Sequence, residues 1–196
     1  MLLYVVRHGQ TDWNAESRFQ GQKDIPLNAL GRSQAAGNGT SLLGLLGAGV
    51  SDFDYVSSPL SRTRETMELM RAAMGLEPGA YRTDVRLKEI CFGDWEGLTV
   101  SEVDKRYPDR VAARALAKWD FIPPGDEAES YEILSWRIGA WLQQLEKPCI
   151  CVCHGGVIRS IVRLVSGMDK DVACDLNIPQ DNILVVDRQA GTLNWI

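Results

Sequence analysis

Histidine is nearly absent from this chain, with two residues in 196. Also missing is any stretch near the roughly 20 consecutive apolar residues that a membrane-spanning helix needs. No basic run offsets the formal charge of −5, and there is no internal repeat or low-complexity tract. These absences argue against a membrane protein and against nucleic acid or an anionic bilayer as partner. They leave room for a small local pocket of positive charge. The five cysteines are an odd number. The opening MLLYVVRHG has only a short apolar run and lacks the basic start of a secretory signal. Reduced thiols and a cytoplasmic location are therefore expected.

At 45% hydrophobic and 24% charged, the chain has enough apolar material for one sizeable core. Short apolar runs at 2–6, 55–57 and 149–153 read as strands, with a further candidate at 83–87, the third in chain order, and two more at 183–186 and 193–196. Helical spacing appears over 31–46, over a stretch opened by Ser58-Pro59 as cap and first turn, over 130–145, and after Gly155-Gly156. Strands alternating with helices predict one α/β domain over 1–196 with a mostly parallel sheet. The less regular segment at about 91–130 reads as a cap or insert.

Both histidines directly follow strands: His8 in Arg7-His8-Gly9 and His154 in Cys153-His154-Gly155-Gly156. Arg62 falls in the first turn after the strand at 55–57. Ligands of parallel sheets collect at the carboxyl ends of strands, so these residues should meet at one edge. Planar guanidiniums at Arg7 and Arg62 suit a phosphate dianion, and the helix starts after Ser58 and His154, with Gly155, add backbone donors. A neutral imidazole can attack phosphorus and form a covalent intermediate. Glu89, just past the third candidate strand, is the best-placed general acid and base, with Glu96 its nearest competitor. The thiols Cys149, Cys151 and Cys153 fall on one side of a strand and read as buried apolar side chains, since no second ligand pair accompanies them. Trp95, Trp119, Phe121 and Tyr131 are candidates for shaping a substrate pocket.

Arg7-His8-Gly9-Gln10-Thr11 resembles the signature of the histidine phosphatase superfamily, the phosphoglycerate-mutase-like enzymes. The resemblance extends through Asn14, Phe19–Leu27, Leu30–Ala35, Ser57–Thr66, Leu87–Gly97 and His154–Arg159, and so spans nearly the whole chain. It implies a three-layer α/β/α fold with a mixed sheet, a metal-independent mechanism with no cofactor, and a small phosphorylated substrate. It makes His8 the nucleophile, Glu89 the acid and base, and Arg7, Arg62 and His154 the phosphoryl binders. Asn14 would be a further donor, and Gln20 and Gly21 would line the substrate side. Cys153 stands where the family commonly has Ser or Thr. The Gly125–Ser130 stretch resembles a short family block with extra residues, so neither Glu129 nor Ser130 receives a catalytic role. Oligomeric state is left open, a homodimer included.

The same chemistry serves a phosphatase, a cofactor-dependent phosphoglycerate mutase or, with catalysis lost, a module that only binds phospho-ligands. The retained His8 and Glu89 speak against the last. The compact length, and Gln22 where mutases typically have tryptophan, favour hydrolysis over transfer. Phosphate should therefore be released from p-nitrophenyl phosphate and from 3-phosphoglycerate without added bisphosphoglycerate. Mutase activity with no net phosphate release would overturn the hydrolytic reading.

Overall fold

The computed structural model describes residues 1–196. Strand β1 (Leu2–Arg7) is followed by a short helix α1 (Asp12–Ala15) and by α2 (Ala29–Leu46). Strand β2 (Asp54–Ser57), helix α3 (Ser61–Ala73) and the two-residue β3 (Arg82–Thr83) come next. Helices α4 (Val100–Arg106), α5 (Pro108–Leu116) and α6 (Tyr131–Gln143) lead to β4 (Cys149–Cys153). Helices α7 (Gly155–Ser166) and α8 (Lys170–Asp175) precede β5 (Ile183–Asp187) and β6 (Thr192–Trp195). The strands form one sheet in the order β3-β2-β4-β1-β5-β6. The first four run parallel, and β5 and β6 are antiparallel to their neighbours.

Period-two alternation divides each central strand between two cores. Leu3 and Val5 of β1 and Cys149, Cys151 and Cys153 of β4 pack with Ile138 of α6 and Ile158 and Ile161 of α7. Tyr4, Val6, Ile150 and Val152 face the opposite way, onto Leu42 of α2 and Met67 and Met70 of α3. With helices on both faces, the strands read as continuous apolar runs. All five thiols are free, and the three in β4 are buried. No helix is long and apolar enough to cross a membrane.

Local chemistry moves several expected boundaries. The third strand stops at Thr83, because the Asp84 carboxylate accepts the Arg86 amide at 3.0 Å and turns residues 85–87 into a 3₁₀ helix. Ser58 does not cap α3. That helix begins at Ser61, whose amide and hydroxyl both donate to Asp24, at 2.8 and 2.7 Å. A carboxylate 37 residues away thus supplies the N-terminal acceptor that the local sequence lacks. Helices α1 and α8 carry too little periodicity to stand out, and α2 starts at Ala29 behind an Asn28 cap. The 91–130 segment contributes no strand. It docks through Phe19 and Leu98, the Phe19 amide donating to Leu98 O at 2.9 Å, and through the Gly97 amide to Phe19 O at 2.8 Å.

Ile150 is fully buried at the centre of the sheet. Ile150→Ala should lower the unfolding free energy by about 2–5 kcal/mol in a denaturant titration.

Candidate active site

The strand order places β2, β4 and β1 side by side, so the segments that follow them converge at one edge. The helices after β1 and β2 cover one face and the helix after β4 covers the other, so a crevice opens between them. A cavity of about 160 Å³ lies there, lined by Arg7, His8, Asn14, Gln20, Gly21, Arg62, Glu89 and Gly155 among others. Eight of the nine residues expected at the site thus share one wall. The ninth, His154, is fully buried behind it, its ring edge-on to His8 with centroids 5.1 Å apart.

The hydrogen bonds of His8 set its tautomer. Nδ1 lies 2.8 Å from the Gly9 carbonyl, which can only accept, so Nδ1 carries the hydrogen. Nε2 keeps its lone pair and accepts from Arg62 Nε at 3.3 Å. Burial above all, then the charges of Arg62 and Arg7, push the His8 pKa well below the usual 6.5. His154 is pushed the same way, by burial first and then by Arg62. Its Nε2 meets the Ser58 hydroxyl at 2.8 Å, the bond that diverts Ser58 from helix capping.

The guanidiniums are held by backbone carbonyls. Arg62 donates to Gly21 O and Lys23 O, both at 2.7 Å, and Arg7 donates to Ile178 O at 2.7 Å. Burial lowers the Arg62 pKa to about 10, which leaves it charged at neutral pH. The Glu89 carboxylate accepts from Gly156 N at 3.1 Å and from Ile90 N at 2.9 Å. A Cβ on Gly156 would stand 2.4 Å from Glu89 Oε1, so only glycine admits this approach. The competitor Glu96 is occupied with the amides of Gln22 and Phe92, at 2.9 and 3.1 Å. The Oδ1 of Asn14 accepts from Thr11 N, Thr11 Oγ1 and Gln180 Nε2, all at 3.1 Å, which leaves its amino group for the cavity.

Arg7 Nε, Gln20 Oε1 and His154 Nδ1 are buried without a protein partner. An orphaned buried polar atom costs about 1–3 kcal/mol. Of five such atoms these three belong to residues at or just behind the wall, which suits it to a polar ligand, and the other two are the indole nitrogens of Trp95 and Trp141. No group of three or more His, Cys, Asp or Glu side chains is placed to hold a metal ion.

Sequence reasoning missed Arg18, Arg159, Phe19 and Phe92, which also line the cavity. Arg159 stands one helical turn beyond Gly155, an i,i+4 spacing that could have revealed it. Its Nε and Nη2 donate to Leu176 O at 3.0 and 2.8 Å, and its Nη1 to Tyr131 Oη at 3.3 Å. Of the four candidate aromatics, only Tyr131 reaches the wall. Trp119 stacks beneath it as core, and Trp95 is buried against Phe121. Glu129 and Ser130 are structural: Glu129 pairs with Arg137 at 2.8 Å, and Ser130 caps α6. Arg137 in turn holds the Glu89 carbonyl at 3.0 Å.

A family model described as the histidine phosphatase superfamily (branch 1) matches residues 3–195. An uncharacterized phosphatase, PhoE, of Bacillus subtilis is 33% identical, matching 86% of this chain and 79% of its own. A probable phosphoglycerate mutase, GpmB, of Citrobacter koseri is 34% identical over 95% of this chain and 85% of its own. Among solved structures, a mycobacterial glucosyl-3-phosphoglycerate phosphatase in complex with VO3 superposes with a TM-score of 0.76 at 28% identity. That match covers 100% of this chain and 96% of the other.

Because both histidines have depressed pKa values in the fold, the unfolded chain binds more protons than the folded one below 6.5. Their contribution to stability is complete above 6.5 and is lost as the pH falls below it, by up to about 1.4 kcal/mol per histidine per pH unit. Melting curves from pH 7.5 to 5 should show this decline, and a His8→Asn/His154→Asn variant should show a flatter one. Equal slopes would contradict the buried neutral pair.

Proposed function

Because the chain belongs to the histidine phosphatase superfamily, we propose that it hydrolyses small phosphate monoesters through a phosphohistidine on His8. The observation carrying this reading is a buried neutral imidazole whose unprotonated Nε2 accepts from Arg62, in a cavity that Arg7, Arg62 and Arg159 line with no carboxylate partner. In the first step the Nε2 lone pair bonds to phosphorus while the ester P–O bond breaks, and Glu89 gives its proton to the departing oxygen. Water then attacks the phosphohistidine, Glu89 takes its proton, and the P–N bond breaks to release phosphate and neutral His8. Arg7, Arg62, His154, the Asn14 amino group and the Gly155 amide bind the phosphoryl oxygens, and Gln20 and Gly21 line the substrate side. The guanidiniums supply the positive charge that a metal would otherwise bring, so the reaction is proposed to run without one. Free thiols suit a reducing, cytoplasmic setting.

The choice of ester falls to the 91–130 segment, acting as a cap through Phe92, and to Arg159. Beyond Arg7 and Arg62 at the phosphoryl end, Arg159 lines the cavity with no carboxylate partner, and a carboxylate on the leaving group would match it. The mycobacterial relative named for a phosphoglycerate ester supports the same substrate class.

The test pairs 3-phosphoglycerate with glycerol 3-phosphate, which differ by carboxylate against hydroxymethyl, alongside p-nitrophenyl phosphate. His8→Ala should cut phosphate release from all three by at least about 10³-fold, and Glu89→Gln by about 10²–10⁴-fold. Arg159→Gln should lower kcat/KM for 3-phosphoglycerate about tenfold and leave glycerol 3-phosphate within about twofold. An active His8→Ala enzyme would end the reading, and equal losses on the two esters would end the carboxylate assignment.

A further inference from the structure

The extended strap between α8 and β5 touches the site at every second residue. Leu176 O accepts from Arg159, Ile178 O accepts from Arg7, and the Gln180 side chain reaches the nucleophile loop. The sheet explains the last contact. Strand β5 pairs antiparallel with β1 from Leu2↔Asp187 to Val6↔Ile183. The pairing ends there, and the bend at residues 180–181 just before β5 brings the Gln180 side chain across the carboxyl end of β1.

Gln180 Nε2 donates to His8 O and to Asn14 Oδ1, both at 3.1 Å, and so spends both hydrogens of its amino group. The residue is pinned from behind by Asn38, buried in α2, whose Nδ2 donates to Gln180 O at 2.9 Å. An asparagine amide can present either its oxygen or its nitrogen to a cavity. At Asn14, donors from Thr11 and Gln180 all claim the oxygen, so the nitrogen is turned outward. The same Gln180 amino group ties down the carbonyl of the residue whose ring attacks phosphorus.

We propose that Gln180 is a positioning residue of the phosphate site. It acts through Asn14, whose amino group it orients toward the phosphoryl oxygens, and through the His8 carbonyl, which it anchors. The inference rests on the phosphatase reading for its purpose but can be measured without turnover. Orthovanadate is the probe, because it adopts the five-coordinate geometry of phosphoryl transfer.

In the full-length protein, Gln180→Leu keeps the bulk of the side chain and removes both donors. Gln180→Glu keeps the shape and sets a carboxylate against two acceptor oxygens. Both should weaken vanadate binding in calorimetry about tenfold and lower kcat/KM for p-nitrophenyl phosphate by a similar factor, consistent with loss of a buried hydrogen bond. The melting temperature should stay close to that of the parent. In an Asn14→Ala background, Gln180→Leu should cost no more than about threefold, since the group it orients is gone. Penalties that multiply across the two sites would overturn the proposal. So would a Gln180→Glu enzyme with parental vanadate affinity, or variants that melt earlier but bind vanadate normally. Vanadate binding that depends on Gln180 in a protein releasing no phosphate from any ester would instead defeat the phosphatase reading and leave this inference standing.

Discussion

Of the four guanidiniums that line the cavity, Arg18 is paired with Glu16 and Glu102, and the groups that hold the other three are carbonyl oxygens. Gly21, Lys23, Leu176 and Ile178 each accept from Arg62, Arg159 or Arg7. A carboxylate would fix these side chains equally well but would cancel their charge before any ligand arrived. A carbonyl fixes direction and leaves the net charge intact. The cost falls on the fold, which keeps like charges close together in a buried place and depresses the pKa of Arg7, Arg62 and both histidines. That cost follows from readiness for an anion. It also keeps His8 neutral, the form in which its Nε2 can act.

The sheet makes this arrangement possible. Strand β4 lies between β1 and β2, so residues from three distant parts of the chain become neighbours. The two sheet-facing cores, one against α6 and α7 and the other against α2 and α3, hold the strand ends in register. His154, fully buried at the end of β4, packs edge-on against the His8 ring and is held by the Ser58 hydroxyl.

Much of this was legible in the residues, because chemistry and topology pointed the same way. Two histidines and an arginine, each just past a strand, could meet only at one sheet edge, and continuous apolar runs announced strands buried on both faces. What stayed hidden depended on contacts without local periodicity. The cap of α3 comes from Asp24, not from Ser58, because Ser58 is engaged by His154. Thr83–Leu87 has strand-like composition, yet the side chain of Asp84 folds the chain back on itself. Arg159 lay inside a recognised motif without an assigned task. Gln180 lay in none, since its place is set by a bend before β5 and by contacts to His8, Asn14 and Asn38. Tyr131 and Trp119 are both aromatic and stacked, and only tertiary packing decides which of them faces the cavity.

The stretch from Gly21 to Asp24 serves two masters. Its carbonyls grip Arg62, and its one carboxylate seats the first turn of the helix that carries Arg62. Arginine and helix are therefore tethered to the same short loop, one by its tip and the other by its root. A fluctuation that lifts the loop loosens both ends of the lever together, so the guanidinium cannot wander while its helix stays seated. Precision at the tip of Arg62 is in this way inherited from the integrity of a short turn that runs from the cavity at Gly21 to the surface at Asp24.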